Sequence, residues 1–165
     1  MGRGRDAAPG GGGTAKAKPV KGMIDVSGKP VVARRAVARG KLRLKPATLR
    51  AVRDHSVKKG DVFEVSRIAA VQAVKRTPEF LPLCHPIPIE SVRVEFRLTA
   101  THLEAEVEVR ASAKTGVEME ALAGVAAALL CAWDMTKYLE KDSHGQYPET
   151  AVESIEVVEK VKGKA

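Results

Sequence analysis

Asp134 and Lys137, in the run AWDMTKYLEKD, stand three positions apart and share one face of a helix. The turn before Asp134 holds Leu130 and Cys131, both apolar. A carboxylate there is partly desolvated, which raises its pKa unless a cation such as Lys137 offsets the effect. Such a pair is a candidate acid–base site; an ordinary surface ion pair is the alternative. Glu118 and Glu120, in KTGVEMEAL, offer a second constellation. Gly116 and β-branched Val117 favour an extended entry with the helix starting at Glu120. Residues two apart in an extended segment share a side, so both carboxylates could converge on one pocket as acid and base. A solvated, Glu-rich helix start is the plainer reading. Lys59, in KKGDVFE, lies just before Asp61, where a helix N-terminus attracts anions. Lys75 and Arg76 end that helix, as dipole compensation alone would place them.

Cys84 and His85 are adjacent within FLPLCHPIPIE, a run stiffened by Pro82, Pro86 and Pro88. His85 precedes a proline and is biased towards extended geometry. Neighbouring side chains then point to opposite sides. A nucleophile–base pair is therefore excluded, and one Cys–His dipeptide is too little for a zinc site. Cys131 reads as core packing.

The elements that must position these residues follow from periodicity. PVVARRAVARGKLRL (30–44) reads as one long strand, and Pro46 opens a helix that should run to about Gly60. Asp61 and Glu64 make a capping-box-like start to a second helix, which Thr77-Pro78 stops. VRVEFRLTA and LEAEVEVRA alternate with period two and form a hairpin with one wet face. Pairing Leu98 with Leu103 sets Arg97 opposite Glu104 and Arg93 opposite Glu108, at the expense of a Glu95–Glu106 clash. A long helix from about Glu120 to Glu140 and a last strand, AVESIEVVEK, complete the chain. This order predicts an α+β fold: a ferredoxin-like antiparallel sheet with helices packed on one face.

The 165 residues suffice for one domain with a real core, and 44% are hydrophobic. Residues 1–22 have little to bury and read as a flexible basic tail, dispensable for catalysis, with residues 23–165 as a single catalytic domain. The net charge of +8 divides unevenly: +11 over residues 1–50 and −3 over the rest. A basic stripe with interleaved aromatics is missing from the body, which argues against specific nucleic-acid binding. The longest uncharged apolar run, Ala121 to Trp133, has 13 residues, too few to span a membrane. Two cysteines give no disulfide framework, so a cytoplasmic setting is expected.

Taken together, MIDVSGK, KGDVFEVSRIAAVQAVKRT, LPLCHPIPI, KTGVEMEAL and AWDMTKYLEKD, in this order, resemble the MoaC family of cyclic pyranopterin monophosphate synthases, from Met23 to about Glu159. The resemblance implies a ferredoxin-like subunit and a homohexamer, a trimer of dimers, with active sites shared between two chains. It implies a lyase of molybdenum cofactor biosynthesis. Its substrate would be a cyclised dihydro-GTP, rebuilt as a cyclic pyranopterin monophosphate with loss of pyrophosphate. No cofactor and no metal are implied. Carried over by position, Asp134, Lys137 and Lys59 match catalytic residues, with Glu118 as companion carboxylate. Leu83, Cys84, His85, Met119 and Glu120 match the substrate pocket, and Arg34, Lys75 and Lys160 match substrate-contacting basic positions. The family's Gly-rich KSGGKSG-like run is replaced by EKVKGKA, where Lys160 is matched to the first lysine. Proton traffic in such a reaction calls for lysines with depressed pKa values. A catalytically dead nucleotide-binding homologue and a basic-tailed nucleic-acid-binding module are the competing readings. The retained Asp134, Lys137 and Lys59 argue against the first and the acidic body against the second.

Overall fold

The computed structural model describes residues 18–164. The first 17 residues of the expected tail lie outside these, and residues 18–22 are exposed coil. The elements run β1 (Val32–Arg43), α1 (Pro46–Arg53), α2 (Val62–Lys75), α3 (Thr77–Phe80), β2 (Ser91–Leu98), β3 (His102–Ala113), α4 (Glu118–Glu140) and β4 (Ala151–Lys162). The sheet order is β2-β3-β1-β4, with every neighbour antiparallel. This is the ferredoxin-like arrangement that the pattern of strands and helices predicts.

Pairing follows the side chains. Leu98 opposes Leu103, Arg97 opposes Glu104, and Glu95 opposes Glu106, as the alternation requires. The expected clash is relieved from both sides: Arg93 bonds Glu95, and Arg39 Nε reaches Glu106 Oε2 at 2.5 Å. Arg93 opposes Glu108 as expected, while the ion-pair partners of Glu108 are Arg35 and Arg110. The outer face of the sheet is thus a mosaic of neutralised charge.

The inner face is apolar and carries the helices. Ala38, Leu42, Leu103, Val107 and Val109 are fully buried against Ala121, Val125, Ala128 and Leu129 of α4. Each large side chain buried this way contributes about 1.5–3 kcal/mol. By length and composition alone α4 could cross a membrane. Here its apolar face is instead the centre of the core. Gly40 permits the closest approach, since a Cβ there would lie 2.7 Å from Val125 Cγ1 and 2.9 Å from Leu129 Cδ1. Gly40→Ala is therefore expected to destabilise the fold by about 1–3 kcal/mol through overpacking, read as a lower denaturant midpoint at unchanged slope.

Three local expectations are corrected. The first helix ends at Arg53, not near Gly60, and His55 takes a left-handed φ of 52°. A continuing helix would carry Val57 about 140° away from Val52; the turn instead brings Val57 into the core at 5% exposure. Asp61 does cap α2, accepting the Glu64 amide at 3.0 Å, but Glu64 bonds Arg67 in return rather than closing the box. Finally, α4 begins at Glu118, because Val117 is buried and already accepts the Ala121 amide at 3.1 Å.

Candidate active site

The C-terminal half of α4 carries the first group. Asp134 Oδ1 meets Lys137 Nζ at 2.6 Å, the three-residue spacing placing both on one face. Asp134 Oδ2 meets Lys59 Nζ at 2.7 Å, and the same ammonium donates to the Asp134 carbonyl at 2.9 Å. Lys59 reaches this point from the turn between α1 and α2. Two cations on one anion leave the array with a net charge of about +1, a receptor for an anionic group. Hydrogen bonds from Lys137 and then Lys59 hold the Asp134 carboxyl down to about 2. The partial desolvation expected at Asp134 is outweighed. Conversely, the Asp134 hydrogen bond raises Lys137, the reverse of the depressed lysine expected. The pairing favours the protonated form of Lys137.

The N-terminal end of α4 frames the second group, a cavity of about 630 Å³. Its walls include Leu83, Cys84 and His85 from the proline-rich turn, Glu118 and Met119 from the first turn of α4, and Lys160 from β4. The proline-rich segment is not extended at Cys84: the Cys84 amide closes a turn onto the Leu81 carbonyl at 2.9 Å. The two side chains still diverge. Cys84 Sγ approaches Glu120 Oε1 at 3.6 Å, whereas His85 Nε2 lies 2.8 Å from the Ile24 carbonyl. Pocket wall, rather than nucleophile pair, is the arrangement found.

Glu118 and Glu120 do not share the side of a strand. Both lie in the first helical turn, where Glu118 pairs with Lys160 in the cavity and Glu120 turns inward behind Cys84 at 2% exposure. Among the described residues, Glu120 Oε2 has no hydrogen-bond partner. Burial pushes this carboxyl above its ordinary value, and it raises the Cys84 thiol in turn, after burial itself. A carboxyl with a raised folded pKa binds its proton more tightly in the folded state. Stability therefore falls as pH rises from the unfolded value through the folded one. Glu120→Gln should melt higher than the unsubstituted protein at pH 8, with the advantage shrinking as the pH approaches 4.5; melts across that range check it. Equal melting temperatures at pH 8 would show that the buried carboxylate carries no such cost.

The remaining basic positions divide. Arg34 is 9% exposed and donates to the carbonyls of Ala113 at 3.2 Å and Lys114 at 3.1 Å. It braces the loop that enters the cavity rather than pointing freely into it. Lys75 lines a separate cavity of about 380 Å³ with Ile87, Ile89 and Val92. Sequence reasoning missed Thr115 and Gly116, which also line the larger cavity. In the sequence Gly116 reads only as part of an extended entry to the helix; its role in the structure is to let the Glu118 carboxylate lie 1.8 Å from where a Cβ would stand. A hollow of about 620 Å³ on the outer sheet face contains none of the expected residues, and Arg39, Arg97, Glu104 and Glu106 pair with one another there.

Glu118 and Asp134 are sixteen residues apart on one helix, about 24 Å of axial rise. Lys59 and Asp134 belong together in one chain; the cavity lies at the other end of α4.

Comparison with known proteins supplies a family. Residues 23–163 match the model of the MoaC family. A protein of Thermococcus kodakarensis called "Probable cyclic pyranopterin monophosphate synthase" is 54% identical over 142 residues, 86% of this chain and 91% of the relative. The protein of the same name from Pyrococcus abyssi is 51% identical over 140 residues, 85% of this chain and 88% of its own. A Methanothermobacter thermautotrophicus protein, 51% identical over 140 residues with the same two shares, is called "Probable cyclic pyranopterin monophosphate synthase accessory protein".

Proposed function

The chain belongs to the MoaC family, and from that membership we propose that it is a cyclic pyranopterin monophosphate synthase of molybdenum cofactor biosynthesis. The substrate in this reading is a cyclised dihydro-GTP, converted to cyclic pyranopterin monophosphate with release of pyrophosphate. The observation that carries it is the Lys59–Asp134–Lys137 array. Such an array serves a reaction that moves protons while handling a triphosphate.

In this mechanism Asp134 stays ionised and orients both ammonium groups. Lys137, raised by that contact, donates a proton to a departing or developing oxygen anion. Lys59 neutralises a neighbouring phosphate oxygen. The proline-stiffened wall of Leu83, Cys84 and His85, with Met119 opposite, holds the ring system in place, and fixed orientation supplies much of the rate. Glu118 and Lys160 contribute acid–base and anion contacts on the ring side, Glu120 backs the wall from behind Cys84 rather than touching the ring, and Arg34 braces the loop behind them. Lys75 joins the triphosphate contacts only when a second chain is in place. The two groups stand too far apart in one subunit to act on one substrate, so the site is composite, formed across the dimers of a homohexamer. The reading takes the protein to work in the cytoplasm on a small nucleotide-derived molecule, without nucleic acid or membrane. Residues 1–22 take no part.

Incubating the purified protein with the cyclised dihydro-GTP tests this. Pyrophosphate and the pterin should appear together, in equal amounts. No product from the protein alone, but product once a second protein is added, would make it an accessory factor and overturn the synthase assignment.

A further inference from the structure

Lys59 is not fixed by Asp134 alone. The turn that carries it is docked on α4 at a second point, one helical turn further along. Val57 roots the turn in the core at 5% exposure. Gly60, at a left-handed φ of 107°, closes it by donating to the Val57 carbonyl at 3.0 Å. Between them the Lys58 amide donates to the phenol oxygen of Tyr138 at 2.9 Å. The Lys58 ammonium sits 5.7 Å from the centre of the same ring, within cation–π range. Tyr138 is four residues after Asp134 and so lies on the same face of α4.

We propose that Tyr138 is a positioning residue for Lys59, a role that rests on the synthase reading above. Its hydroxyl holds the Val57–Lys58 peptide, one residue ahead of Lys59. That contact sets where the lysine stem begins, and the stem's length then brings the ammonium to Asp134 rather than to solvent. A lysine has four freely rotating side-chain bonds and a strongly hydrated head. Without a fixed origin, its ammonium would sample positions well beyond hydrogen-bond reach of one carboxylate. Misplacement of a reacting group by about 1 Å costs up to about 100-fold in rate. The second docking point is therefore a catalytic requirement more than a structural one, since the amide it satisfies is at the surface and water would bond it equally well in the folded protein.

Tyr138→Phe isolates the hydroxyl, keeping the ring and its contact with the Lys58 ammonium. Two measurements decide the matter. Hydrogen exchange at the Lys58 amide should speed up several-fold as the acceptor is lost. Steady-state kinetics with the cyclised dihydro-GTP should show kcat lower by about tenfold, KM unchanged within about twofold, and a melting temperature within about 1 °C. Faster exchange with an unaltered kcat would overturn the positioning role and leave the synthase reading standing. Equal exchange in both proteins would overturn the hydrogen bond itself. A fall in kcat matched by a large loss of thermal stability would make the role merely structural. Failure of the unsubstituted protein to turn over would defeat the functional reading, and the positioning role with it, while the exchange comparison would still report on the bond.

Discussion

Lys137→Ala is expected to lower turnover of the cyclised dihydro-GTP by about 1,000-fold, the middle of the range for a lost general acid or base. The melting temperature should stay within about 2 °C, as for other exposed substitutions. The two expectations have one origin. Lys137 and Asp134 are about half exposed, so solvent screens their pairing and the fold gains little from it. What the pairing does is chemical: it keeps the ammonium protonated and aimed. Lys59→Ala should behave alike, because Lys59 holds the other carboxylate oxygen. Asp134→Asn separates charge from shape. It leaves both lysines with a neutral acceptor, so Lys137 loses the contact that raises its pKa, and the alkaline limb of kcat against pH, where a proton donor is lost, should move to lower pH. Near-normal kcat in Lys137→Ala, or a large fall in its melting temperature, would remove the proton-donor role.

Much of this site was legible in the sequence because it is local. Asp134 and Lys137 are three apart on a helix, and helical geometry alone joins them. Cys84 and His85 diverge as expected, but through a turn closed on the Leu81 carbonyl rather than through the extended backbone the prolines suggest. The hairpin register follows from opposite charges and a short turn. What escaped depends on distance in sequence. Nothing in the residues around Lys59 places it on Asp134, 75 positions later. Nor does any local signal tie Tyr138 to the Lys58 amide, 80 positions away. The start of α4 was misjudged for a different reason. Gly116 and Val117 favour extended backbone locally, but burying Val117 against the core overrides that preference. Lys137 departs from the depressed pKa that the reaction would call for because its exposed pairing with Asp134 stabilises the ammonium. The family resemblance named the residues. It left open which of them share a chain.

Mixing two inactive variants should restore activity, and the structure decides which two. Lys59 and Asp134 touch within one subunit, so Lys59→Ala and Asp134→Asn cannot complement. The division runs instead along α4: the Lys59–Asp134–Lys137 array at one end, the Cys84–His85–Glu118 cavity at the other. In the composite site proposed above, a symmetric dimer would combine the array of one chain with the cavity of its partner. A hybrid of Lys137→Ala with His85→Ala then holds one site with both mutations and one with neither. Random subunit exchange makes half of the dimers hybrids, each with one intact site in two, so recovery should approach about 25% of unsubstituted activity. Lys59→Ala mixed with Lys137→Ala is the control, since every hybrid site still carries one damaged array, and should recover nothing. Exchange would be driven by brief exposure to denaturant and confirmed by mass spectrometry of the intact assemblies. Confirmed hybrids without activity would mean that each subunit works alone, and the 24 Å between the two groups would then have to be closed by a motion within one chain.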